Sequence, residues 1–175
     1  MRSKEYFYMQ DSKLELEKNS NMSSNPKSVE AQMLIRKPAE IVFNAFIDPN
    51  VTKNFWFTKG SDKLAVGKHI IWEWEMYKVS TTIFVKEIIK NEKISIEWNE
   101  PKTTVDFEFR KITDDTTYVV IKNYGFAKEG DELLNIIKDA TGGFTTVLDG
   151  LKAYLEHNIN LNLIADKFPK EAFNK

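Results

Sequence analysis

The 175-residue sequence predicts an α+β fold, a strongly bent antiparallel sheet gripping a long C-terminal helix, with two short helices after the first strand. Three observations predict it. First, strand patterns follow one another between residues 68 and 124, separated by short turns, as in antiparallel hairpins. Second, Ile137, Ala140, Phe144, Leu148, Leu151 and Leu155 advance by three or four residues at a time, one continuous helical stripe within Asp131–His157. Third, two adjacent glycines, Gly142 and Gly143, interrupt that helix at a cost of about 1 kcal/mol each against alanine. They need a steric reason: a helix lying low across a curved sheet, or a close approach of its backbone to a ligand. Helices gathered on one face of an antiparallel sheet are the α+β arrangement.

The elements follow in order. Residues 1–27 read as an N-terminal extension and linker. Tyr6, Phe7, Met9, Leu14 and Leu16 make an imperfect apolar face, the Asn- and Ser-rich stretch NSNMSSNPKS reads as a linker, and Met22 is an alternative translation start. The domain is expected over residues 28–169, with 170–175 as a tail. Val29, Ala31, Met33 and Ile35 alternate with Glu30, Gln32 and Arg36, which is a half-buried strand. Pro38 opens a helix whose apolar positions are Ile41, Val42, Ala45 and Phe46. Asp48 and Pro49 are an N-cap and first helical residue, and the second short helix is expected to run to Thr58. Phe55, Trp56 and Phe57 are consecutive, so a helix cannot turn all three inward. Trp56 is placed at the mouth of a cavity.

In the strand-rich middle, Ile70, Trp72, Trp74 and Met76 share one parity, with Glu73 and Glu75 on the other. Val79–Ile89 is a longer strand, and a turn at residues 90–92 leads to Ile94, Ile96 and Trp98. Beyond Pro101, Val105, Phe107 and Phe109 alternate with Asp106, Glu108 and Arg110. Asp114 and Asp115 make the next turn. The last strand is apolar on both faces, with Val119 and Ile121 inward and Tyr118, Val120 and Tyr124 outward. An outward apolar stripe implies a covered face, over which residues 1–20 or a second subunit would lie.

Composition excludes several functions. The net charge is −1 with both signs interspersed, which does not suit a nucleic-acid partner. There is no cysteine, so disulfides, thiol nucleophiles and Cys-based metal sites are excluded. His69 and His157 are the two histidines, too few for a histidine metal site. No apolar run is long enough to span a membrane, and the N-terminus lacks a secretory apolar core, so the expected location is cytoplasmic. The 12 Phe, 6 Tyr and 4 Trp residues fill cores and line pockets.

No catalytic residue is named. His69, at a strand start, is a base only if it reaches the cavity rim. His157 suits the C-terminal dipole of the long helix. Thr81 and Asn123 are the inward polar residues, and neither is a good base. Glu73, Glu75, Glu97, Asp106 and Glu108 fall on the outward parity and read as a solvated charged face. No phosphate loop, zinc motif or nucleophile elbow is present.

Four segments carry a resemblance. IRKPAEIVFNAFIDPNVTKNFWF (35–57), LAVGKHIIWEW (64–74), VDFEFRKITDDTTYVVIKNYGF (105–126) and TGGFTTVLDGLKAYLEHNINLNLIADKFP (141–169) together resemble the START-like helix-grip (SRPBCC) superfamily. Within it they are similar to the branch of activator of heat-shock-protein-90 ATPase homologues. The branch has a second glycine where this chain has Lys68. The resemblance implies a cavity between the sheet and the long helix. Relatives bind lipids, hormones or polyketides, and a few catalyse cyclisation or hydrolysis.

The residues and the resemblance together predict non-enzymatic binding of a small apolar or aromatic ligand, with no cofactor and no metal. The cavity residues are Trp56, Trp72, Trp74, Trp98, Phe107, Phe109, Asn123, Gly143, Phe144 and Leu148. One alternative is a protein-interaction module of the chaperone ATPase activator kind, with a homodimer or protein partner on Tyr118, Val120 and Tyr124. The other is a cyclase or hydrolase.

Overall fold

The structure is a computed structural model that describes residues 27–98, 100–169 and 172. The expected extension 1–27 and tail 170–175 therefore lie almost wholly outside the described residues, as does the start at Met22. The strands are β1 (Ser28–Ile35), β2 (Lys59–Gly60), β3 (His69–Trp74), β4 (Val79–Ile89), β5 (Lys93–Trp98), β6 (Thr103–Thr113) and β7 (Thr116–Tyr124). The helices are α1 (Ala39–Ile47), α2 (Pro49–Thr52), α3 (Gly130–His157) and α4 (Leu163–Lys167). The strands form one antiparallel sheet in the order β1-β7-β6-β5-β4-β3-β2. The first strand thus pairs with the last, and the hairpins fill in between. Register shifts at Val85/Glu87 in β4 and Lys111/Thr113 in β6 are bulges, which bend and twist a sheet. The result is the curled open sheet and long helix expected of this pattern.

Strand alternation has the expected sense. Val29, Ile70, Ile83, Ile96, Val105 and Ile121 are buried on the face toward α3. The helix returns Phe144, Val147, Leu148 and Leu151 to the same core. One end of the sheet is closed by α1, α2 and the segment after them. There Phe46 meets Phe107 at 5.2 Å between ring centroids, Phe43 meets Phe109 at 5.5 Å, and Trp56 meets Trp72 at 4.9 Å. Such aromatic contacts add to the area they bury.

Several expectations are corrected. In α1, Ile41 is exposed and Phe43 takes the inward place. Asp48 and Pro49 do cap α2, with Asp48 Oδ1 accepting from the Asn50 N–H at 2.9 Å. That helix ends at Thr52, six residues early. Residues 53–58 are irregular, so Phe55, Trp56 and Phe57 are all buried, and none of the three is an exposed gate. The strand expected to reach Tyr77 stops at Trp74. A 3₁₀ turn over Glu75–Tyr77 follows, with Lys78 in the left-handed region (φ 54°), and it takes Met76 off the sheet.

The glycine pair does not let the helix sit low. A Cβ on Gly143 would meet nothing within 4 Å, and one on Gly142 would meet the Lys167 Nζ alone, at 3.4 Å. The close approach is two turns further on. A Cβ on Gly150 would lie 3.1 Å from the Phe55 carbonyl oxygen and 3.2 Å from its Cβ.

On the outer face, Asp106 is not solvated. It is 8% exposed, 3.5 Å from the Lys93 ammonium, and Asp106 Oδ2 accepts from the Tyr124 hydroxyl at 3.2 Å. The Tyr124 phenol is pushed above its ordinary pKa by burial first and by the Asp106 charge second.

Candidate functional site

The C-terminal half of α3 lies tight on the core through Phe144, Val147, Leu148 and Leu151, whereas its N-terminal half is anchored by the buried Leu133 and only partly buried at Ile137 and Ala140. Under that half opens a cavity of about 1040 Å³, at the upper end of the range for small-molecule sites. It lies at the end of the sheet away from α1. Its floor is Trp74, Trp98 and Asn123, from the ends of β3, β5 and β7. The helix wall is Ile136, Ala140, Gly143, Phe144 and Val147, of which Ala140, Phe144 and Val147 also pack on the core. This explains the glycine. Gly143 faces the open volume, which a larger side chain would fill.

The walls are aromatic and ordered. Trp74 stacks on Trp98 with the rings 7° from parallel and 6.4 Å apart. Phe144 packs edge-on against Trp98 at 6.0 Å. The Trp98 indole N–H donates to Thr81 Oγ1 at 3.2 Å, which fixes that ring. Asn123 is 3% exposed and its Nδ2 donates to the Thr104 carbonyl at 2.9 Å. Among the described residues its Oδ1 has no hydrogen-bond partner, so an acceptor stands at the cavity floor.

The far rim is a strap formed by residues 158–168. Asn158 and Asn162 take left-handed backbone (φ 55° and 53°) and turn the chain back from the end of α3 into α4. Asparagine tolerates that region better than other side chains with a Cβ. The Tyr77 hydroxyl donates to the Ile164 carbonyl, and its ring meets Phe168 at 6.5 Å. Lys167 Nζ donates to Thr146 Oγ1 at 3.1 Å. Ile164, Lys167 and Phe168 thereby complete the cavity.

Six of the ten residues expected in the cavity line it: Trp56, Trp74, Trp98, Asn123, Gly143 and Phe144. Trp72, Phe107, Phe109 and Leu148 do not. They are buried in the closed core, where α1 and the segment after α2 fill the space over them. Sequence reasoning missed Tyr77, Ala140 and the strap. The asparagines at 158, 160 and 162 were the available signal of a turn there. His69 lies on the outer face, its ring 4.9 Å from Phe84, and does not reach the cavity. Charged groups on the cavity, Lys138, Asp139 and Lys167, sit at its exposed rim. The hollow is thus aromatic, with one deep amide and charges only at its rim.

Comparison with known proteins follows the same lines. The family described as Activator of Hsp90 ATPase homolog 1-like protein matches residues 36–156. Comparison with curated protein sequences finds no match. Among solved structures, the protein SSP2350 from Staphylococcus saprophyticus has a TM-score of 0.69 and 25% identity, covering 77% of this chain and 96% of that one. The Aha1 dimer from Colwellia psychrerythraea has a TM-score of 0.63 at 17% identity, covering 75% and 97%. PFC0360w, an HSP90 activator from Plasmodium falciparum, has a TM-score of 0.54 at 21% identity, covering 67% and 89%. The last two show likeness of fold.

Proposed function

The chain belongs to the Activator of Hsp90 ATPase homolog 1-like family, and from that premise we propose that it binds a small apolar or aromatic molecule between the sheet and α3. The observation that carries this is the 1040 Å³ hollow walled by Trp74, Trp98 and Phe144. Desolvating that aromatic surface against a ligand contributes about 25 cal/mol per Å², and the Asn123 acceptor orients whatever donor the ligand carries. The test is a fluorescence titration with the uncharged probe N-phenyl-naphthylamine. One saturable site is expected, and Gly143→Phe, which fills the hollow, abolishes it while circular dichroism stays native. Binding that is unchanged in a folded Gly143→Phe protein refutes the cavity as the site.

A second reading takes the outer face of β7, where Tyr118 and Tyr124 are half-buried and Val120 between them, at 1% exposure, is already covered within the chain. On this reading the two tyrosines of the Tyr118, Val120 and Tyr124 stripe meet a second copy or a protein partner, as in the dimer of similar fold from Colwellia psychrerythraea. Light scattering over a concentration series tests the homodimer: association that Tyr118→Glu weakens supports it, and a monomer throughout refutes it.

A further inference from the structure

We propose that the ligand is an amphiphile carrying an anionic group, and that Lys167 on the strap receives that charge. This rests on the cavity reading above and adds the chemical class of what the cavity takes. Some surface lysines reach a carboxylate, as Lys59 meets Glu73 at 2.9 Å and Lys68 meets Asp62 at 2.6 Å, and others, such as Lys86 on Thr104 Oγ1 at 3.3 Å, do not. Lys167 meets none among the described residues. Its ammonium turns back over α3 to a neutral hydroxyl, Thr146 Oγ1, at 3.1 Å, and stands 5.9 Å from the Phe168 ring centroid. Thr146 in turn donates to the Gly142 carbonyl at 2.7 Å, so its hydroxyl proton is already used.

Two of the three ammonium protons of Lys167 therefore remain for a ligand at the rim of an apolar hollow. Gly142 leaves room for this placement, because even a methyl group there would lie 3.4 Å from Nζ. The other rim charges are Lys138 and Asp139, so the mouth as a whole carries a net single positive charge. The family match ends at residue 156, so Lys167 and the strap that presents it lie outside the matched region. Lys167 is thus carried by a segment beyond that region, while the aromatic floor and the other rim charges, Lys138 and Asp139, lie within it.

The experiment compares two probes with the same aromatic body: anilinonaphthalene sulfonate, which is an anion, and uncharged N-phenyl-naphthylamine. Lys167→Gln is expected to weaken the sulfonate about fivefold, as for an accessible ion pair, and to leave the uncharged probe unchanged. Lys167→Arg restores the sulfonate affinity, and Lys68→Gln, which removes the same charge at a distance, leaves it intact. Equal sulfonate affinity in the wild type and Lys167→Gln overturns the role of Lys167 while the cavity reading stands. An equal loss in Lys68→Gln also overturns it, since the effect is then the general field of the protein. Failure of both probes to bind the wild type overturns the cavity reading and this inference with it.

Discussion

The backbone N–H of Arg36 donates to Glu156 Oε1 at 2.8 Å, joining the end of β1 to the last turn of α3 across 120 residues of chain. Glu156 also accepts from Lys152 Nζ at 2.6 Å, and the same ammonium donates to the Leu34 carbonyl at 2.8 Å. This cluster fixes the tight end of the helix, and hence the open end over the cavity.

The Glu156 side chain is 7% exposed. Burial alone would raise its carboxyl pKa, but the bonds from Lys152 and Arg36 outweigh burial and hold it below its ordinary 4.5. A carboxyl depressed in the folded chain contributes stability above its unfolded pKa and loses it as the pH falls through the folded value. Glu156→Gln is therefore expected to cost about 1–3 kcal/mol near pH 7. The gap to the wild type closes below about pH 4.5. Urea unfolding over a pH series checks both, and a gap that is constant with pH refutes the ionic part.

The glycines of α3 separate into two kinds by what surrounds them. Gly143→Ala meets nothing and gains helix propensity, so it should stabilise by about 0.5–1 kcal/mol. Gly150→Ala gains the same propensity but presses on the Phe55 backbone, at 3.1 Å from its oxygen. It is expected to come out at least about 1 kcal/mol less stable than Gly143→Ala, because a backbone neighbour yields little. Thermal melts of the two variants decide it, and equal midpoints would refute the close contact at Gly150.

The strand faces were legible because the side-chain period of two is strict: Val29 and Ala31, then Val105, Phe107 and Phe109, fall inward as read. The division between core and cavity was not legible. Phe107, Phe109, Trp74 and Trp98 all point to one side of the sheet. What separates them is which helix covers that end, a tertiary fact with no local pattern. The Gly142–Gly143 pair was recognised as needing a steric reason, but absence of a side chain serves an empty space as well as a tight one. Asp106 was misread for a similar reason. Parity gives its direction, and not the cover that Lys93 and Tyr124 provide.

That cover leads to a third expectation. Asp106 Oδ1 is buried without a hydrogen-bond partner, so the carboxylate depends on Lys93 and the Tyr124 hydroxyl at Oδ2. Removing one partner of a buried pair leaves the other charge unpaired. Lys93→Met should destabilise the chain by about 1–3 kcal/mol, and Asp106→Leu added to it should recover most of the loss. A double-mutant cycle by urea unfolding measures the coupling. Additive effects would show that the pair does not act as a unit.

The strap provides the last expectation. Tyr77 holds α4 through its hydroxyl bond to the Ile164 carbonyl, and the oxygen also lies 3.3 Å from the Ala165 carbonyl. Tyr77→Phe removes that donor and retains the ring that meets Phe168. Global stability should change by no more than about 1 kcal/mol, the net worth of one hydrogen bond. The local consequence is larger, because α4 is a single five-residue turn with no buried residue of its own, and such segments open at little cost. Amides of residues 163–167 should exchange faster in Tyr77→Phe, with exchange in β5 and β6 unaltered. If the strap borders the ligand's route, both the association and the dissociation rate of N-phenyl-naphthylamine rise together, and their ratio moves much less. Hydrogen exchange and stopped-flow fluorescence test the two steps separately. Faster exchange with unchanged rates would place the ligand's route elsewhere, and unchanged exchange would show that the Tyr77 bond does not hold the strap.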